Sequence, residues 1–150
     1  MHELITTVDE ITRVALESAI ATDIRVLLLE KYLIKLYYLS FELVFDCDVI
    51  EYPESPEAIL DFRHQIESNF KTFGLYKTVP EHSDIYNSTE FGIGDAVDDL
   101  AEILIDSKEI KRRIENNSIN DGLWYFNLIF QSHTKKHVVN LLNYINFSKY

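Results

Sequence analysis

Asp95, Asp98, Asp99, Glu102 and Asp106 recur at helical spacing, and downstream the run His133-Thr134-Lys135-Lys136-His137 sets two imidazoles four residues apart. At about 100° per residue the five carboxylates fall within an arc of roughly 100° on one helix, and the two histidines share one face of another. Side chains of these types can chelate a divalent metal ion, hold one another in a buried hydrogen-bonded network, or line a solvated face. On the metal reading the candidate ligands are Asp99, Glu102, Asp106, His133 and His137. On the network reading the same histidines hydrogen-bond the acidic stripe, fix how the two helices pack, and need no cofactor.

Each reading has something against it. Asp95/Asp99, Asp98/Glu102 and Glu102/Asp106 are like-charge pairs one turn apart, each costing a few tenths of a kcal/mol, with no lysine on the same stripe. The helix dipole accounts for acids in the first turn and leaves Glu102 and Asp106 unexplained, so countercharge is expected from elsewhere in the fold. Thr134 follows His133 where a metalloprotease helix carries glutamate, which removes protease chemistry. Of the paired carboxylate-x-x-His segments of a di-iron bundle, only Asp61-Phe62-Arg63-His64 approximates one. Glu57 with Asp61, and Asp99 with Glu102, have the spacing of magnesium-caging carboxylates in all-helical nucleotide pyrophosphatases, a spacing common on any acidic helix. Gly92-Ile93-Gly94 lacks the lysine and the serine or threonine of a phosphate loop. Cys47 and the serines have no activating base nearby in the sequence, so a non-catalytic role is favoured.

These residues must be positioned by helices. Four glycines and three prolines are few for the turns of an all-β domain. The expected fold is all-α, a single-domain bundle of about five helices over residues 1–150, with the tail after Asn146 fraying. Thr7-Val8-Asp9-Glu10 has capping-box spacing and predicts a first helix from about residue 8 to 21. Thr22-Asp23 supplies the next N-cap, for an apolar central helix from Asp23 to Phe45. Ser55-Pro56-Glu57 and Gly74 bracket a third helix from Pro56 to about Phe73, with Gly74 as a left-handed cap. Leu75 to Phe91 reads as the longest loop. A fourth helix spans about Asp95 to Ile114, and a fifth runs from Asn120 or Asp121 through about Ile145. Trp124, Tyr125, Phe126 and Phe130, with Tyr37, Tyr38 and Phe41, are the expected aromatic core.

Composition narrows the function further. A net charge of −11 disfavours nucleic acid, whose binding rests on Lys and Arg displacing counterions. The apolar stretch Ile24 to Phe45 is interrupted by Arg25, Glu30, Lys31, Lys35 and Glu42, so it falls short of a membrane span. No signal peptide is visible, and the lone Cys47 excludes an internal disulfide framework and suits a reducing cytoplasm. Carboxylates crowd the stretches between Lys35 and Arg63 and between Lys77 and Lys108, which can steer a basic partner.

Asp98-Asp99-Leu100-Ala101-Glu102-Ile103 with Asp106 and Lys108, then Leu123-Trp124, Phe130 and His133 to Leu142, resembles the bacterial family catalogued as domain of unknown function 5063. Leu27 to Leu43 looks like that family's apolar helix. The family has Trp-Gly where Thr134-Lys135 stand here, and is more polar around Tyr125 to Ile129. The resemblance implies an all-helical fold and a bacterial origin, and brings no activity with it. The function expected from the residues is a non-catalytic, acidic protein-interaction module. An inhibitor or immunity-type protein that masks a basic partner would fit. The alternative is a divalent-metal-binding helical protein, hydrolytic in one version, built on the acidic stripe and the two histidines.

Overall fold

Leu4, Val8, Ile11, Val14 and Ala15 recur at helical spacing, and all are buried on one side of the first helix. The computed structural model describes residues 1–43, 62–78 and 91–148. In order these form α1 (His2–Leu16), α2 (Thr22–Glu42), α3 (Arg63–Asn69), β1 (Leu75–Thr78), β2 (Gly92–Asp95), α4 (Ala96–Asn116), α5 (Ile119–Ile129) and α6 (Lys135–Ser148). A π-helical turn, Phe130–Thr134, joins α5 and α6 into one continuous helix. The protein is an all-α bundle with a small two-stranded sheet, and none of its described helices is long and apolar enough to cross a membrane.

The centre of the bundle is α4, which packs against α1, α3, α5 and α6. Leu100, Ile103, Leu104 and Ile110 of α4 meet Phe126, Phe130, Val138, Leu141 and Ile145 of the long C-terminal helix in one continuous core. Asp95 caps α4, its carboxylate accepting from the Val97 amide at 3.0 Å. Ser118 does the same for α5 through the Asp121 amide, also at 3.0 Å. These caps lie within a few residues of the expected boundaries.

Elsewhere the structure departs from expectation. α1 begins before Thr7, whose hydroxyl bonds the Glu3 carbonyl one turn back at 2.6 Å instead of capping a helix. α2 is peripheral and not central. Leu29, Leu33, Leu36 and Leu39 face the core, while Tyr38 and Phe41, expected inside, are 50% and 68% exposed. Trp124 is only half-buried. Of the third helix, Arg63–Asn69 is seen; it ends at Phe70, short of the expected Phe73, and the part of that expectation before Phe62, with Cys47, Glu57 and Asp61, lies outside the described residues. Gly74 is not a left-handed cap, since no described glycine has a positive φ. The expected loop yields β1, paired antiparallel with β2 in the register Tyr76↔Gly94. Asn117 and Ser118 end one helix and start the next, so α4 and α5 double back, and α6 continues alongside α4.

Buried Arg25 explains one charge within the apolar α2. Its guanidinium donates to the carbonyls of Val14 at 2.5 Å, Glu17 at 2.7 Å and Ile20 at 2.9 Å. It thus satisfies the orphan carbonyls at the end of α1 and in the turn that follows.

Candidate functional site: two facing Asp–His dyads

Asp99 and Asp106 lie seven residues apart, two turns of α4, so both project from one face toward the C-terminal helix. The two helices run antiparallel, and the residues pair in opposite order. His137 Nδ1 lies 2.8 Å from Asp99 Oδ1, and His133 Nδ1 lies 3.0 Å from Asp106 Oδ2. The rings then turn toward each other, with His133 Nε2 and His137 Nε2 3.3 Å apart. An unbroken Asp–His–His–Asp chain bridges the two turns of α4. Glu102 sits between the aspartates, its Oε2 3.9 Å from His133 Nε2, beyond hydrogen-bond range.

Two further side chains hold the aspartates. The Tyr76 hydroxyl donates to Asp99 Oδ2, and the Thr134 hydroxyl donates to Asp106 Oδ2 at 2.6 Å. Both aspartates are about 5% exposed, so these bonds and the imidazoles replace the water the carboxylates lost. Burial pushes the Tyr76 hydroxyl pKa well up, and the neighbouring Asp99 carboxylate pushes it further, so the phenol stays a donor. Burial and then the charge of Asp106 raise Tyr125 to about 12.

Local structure explains the positions. Gly94 lies across the sheet from Tyr76, and a methyl group there would overlap the Tyr76 ring. Glycine therefore lets that ring cross β2 and reach Asp99. The π turn carries His133 and Thr134, both of which reach Asp106, and the Thr134 hydroxyl also lies 3.4 Å from the Ile129 carbonyl five residues back. Such single-turn bulges are frequent at functional sites.

The acidic stripe therefore divides in two. Asp95 and Asp98 turn to Arg63 on α3, at 2.7 and 3.1 Å, so that arginine offsets the acids at the start of α4, while Glu102 and Asp106 face the His133 imidazole. Burial raises the Asp95 pKa, but the bonds from Arg63 and the Val97 amide outweigh it, and the net effect lowers that carboxyl. Asp99, Glu102, Asp106, His133 and His137 come together, and the stripe around Asp99 and Asp106 is buried rather than solvated. His64 is exposed on α3 and joins no cluster with them. Sequence reasoning missed Tyr76, which sits in a segment without periodicity, and gave Thr134 no role.

The dyads impose a chemical condition on the space between them. A carboxylate only accepts hydrogen bonds, so each Nδ1 that faces one carries the ring proton. Each Nε2 is then a lone pair. Two lone pairs at 3.3 Å repel unless a cation, either a proton or a metal ion, lies between them. Two nitrogens bound tetrahedrally at the usual zinc distance of about 2.0 to 2.1 Å would stand about 3.3 to 3.4 Å apart. The same separation also falls within reach of a shared N–H···N bond, so the space suits either cation. Among the described residues no three His, Cys, Asp or Glu side chains converge as a complete ligand set. The protein presents two nitrogens, with the Glu102 carboxylate 3.9 Å from that of His133. The His133 and Glu102 side chains are 42% and 36% exposed, which opens this side to solvent.

No protein-family model matches this chain, and neither a curated protein nor a solved structure matches it significantly.

Proposed function

We propose that the chain is a divalent-metal-binding helical protein whose ligands are His133 Nε2 and His137 Nε2, with Glu102 rotating in as the third. The observation that carries this reading is the facing of the two Nε2 atoms at 3.3 Å while both Nδ1 atoms are turned to aspartates. Asp99 and Asp106 fix the orientation of the imidazoles through Nδ1, as carboxylates behind metal-bound histidines do. Water completes the coordination on the exposed side. Imidazole ligands with one carboxylate suit zinc, cobalt or nickel better than magnesium or calcium.

Calorimetric titration of chelator-treated protein with zinc and with cobalt tests this. One ion per chain is expected, with a cobalt absorption spectrum of tetrahedral intensity and a raised thermal midpoint. His133→Ala and His137→Ala should each abolish the spectrum, and Glu102→Gln should weaken binding by roughly 10- to 100-fold. Failure of the wild-type protein to bind either ion would leave a shared proton between the rings and overturn the metal reading.

The acidic interaction role remains a second proposal, motivated by the net charge of −11 and by the carboxylate-rich stretches of the chain. A cytoplasmic setting belongs with it, as does a basic partner protein. Pull-downs at low and moderate salt that return no stoichiometric partner would count against it.

A further inference from the structure

Apart from the site, the least explained feature is the outer face of α2. Ile24, Leu27, Lys31, Ile34, Tyr38 and Phe41 are all exposed, and the five apolar ones are 50% to 68% accessible. Their spacing is 3-4-3-4-3, the spacing of a coiled-coil seam. At about 100° per residue the stripe lies roughly opposite the core-facing leucines. α2 therefore has two apolar faces, and among the described residues the bundle covers one.

We infer that this stripe is the seam of an antiparallel homodimer, in which α2 packs on α2 of a second copy about a two-fold axis near Tyr32 and Leu33. The spacing reads the same in both directions, so an antiparallel copy matches it layer for layer. Ile24 meets Phe41, Leu27 meets Tyr38, and Lys31 meets Ile34. In the outer layers a small aliphatic side chain faces a large aromatic one, the pattern that fills space between helices. In the central layer the lysine stem covers apolar surface while its ammonium reaches solvent.

Charge and area favour the same occupant. The stripe has no carboxylate, so two molecules of net charge −11 approach best through this face. Lys35, beside the seam, is engaged by Glu3 of its own chain at 3.2 Å. Joining two such stripes covers on the order of 1,000 Å² in total, about the minimum for a specific interface. A two-fold contact of this kind closes on itself and does not propagate into fibres.

Light scattering on the full chain, with size-exclusion chromatography from 5 to 200 µM (an order-of-magnitude range around typical weak-dimer affinities), should give twice the chain mass of 17.6 kDa at the upper end. Ile34→Glu should give a monomer with an unchanged helical spectrum. A wild-type monomer throughout, or a dimer that survives Ile34→Glu, overturns the proposal. Cysteine cross-linking fixes the direction. In a Cys47→Ser background, Leu27→Cys with Tyr38→Cys should form a covalent dimer under mild oxidation. Leu27→Cys alone should not, because the two copies of that position are about 16 Å apart along the axis. Efficient cross-linking of the single variant would mean parallel pairing and would also overturn it. None of these outcomes depends on metal binding.

Discussion

Removing one hydroxyl tests how Asp99 is held. Tyr76→Phe leaves the buried carboxylate with His137 as its remaining hydrogen-bond donor, so denaturant unfolding should show a loss of about 1 to 3 kcal/mol. A loss below about 0.5 kcal/mol, typical of surface sites, would mean that water takes the place of the phenol. The same dependence shows which residues were legible from sequence alone. Asp99, Glu102, Asp106, His133 and His137 stand out because their spacing repeats with the helix, and periodicity survives without tertiary information. Tyr76 has no such signal. It lies on a four-residue strand whose partner contains Gly92 and Gly94, residues with little strand propensity, and only the pairing of the two makes either one a strand.

The start of α4 was legible because a side chain performs the capping, at Asp95; the cap of α5 is Ser118, two residues before the expected Asn120. The start of α1 was not legible, since it begins before Thr7 with no side-chain cap, whereas α2 begins at Thr22, within a residue of expectation. The closest approach of two helices is set by packing. A methyl group on Gly122 would lie 3.0 Å from the Ile114 amide nitrogen, 3.2 Å from the Ile110 carbonyl oxygen, and against the Ile114 side chain. Backbone cannot yield as a flexible side chain can, so Gly122→Ala should force α4 and α5 apart. Thermal unfolding should report a loss of about 1 to 3 kcal/mol from overpacking. An unchanged midpoint would mean that Ile114 alone absorbs the methyl. The π turn left no trace in the sequence: Phe126, Phe130, Thr134 and Val138 are buried at three successive four-residue steps, a drift of about 120° that the apolar stripe of a regular helix also spans.

Across the molecule the acidic charge is partly offset by ion pairs on α4. Burial raises the Glu109 pKa, but bonds from Arg112 at 2.6 Å and Arg113 at 2.9 Å outweigh it, and the net effect lowers the carboxyl from its ordinary 4.5. A lowered folded-state pKa contributes stability that is complete above the unfolded value and lost as pH falls through the folded one. Glu109→Gln should therefore be less stable than wild type at neutral pH, and the difference should shrink as pH drops below about 4. A difference independent of pH would assign the effect to packing. Arg113 ties this pair to buried Asp121 at 3.0 Å, so one guanidinium joins Glu109 to the α4–α5 corner. The π turn has a consequence of another kind. It amounts to a one-residue insertion, and loss of exposed Ser132 would heal it into ordinary helix while α5 and α6 kept their seats on α4. A kindred chain one residue shorter at this point would keep the bundle on an unbroken helix, so the bulge and the fold can part company at a single codon.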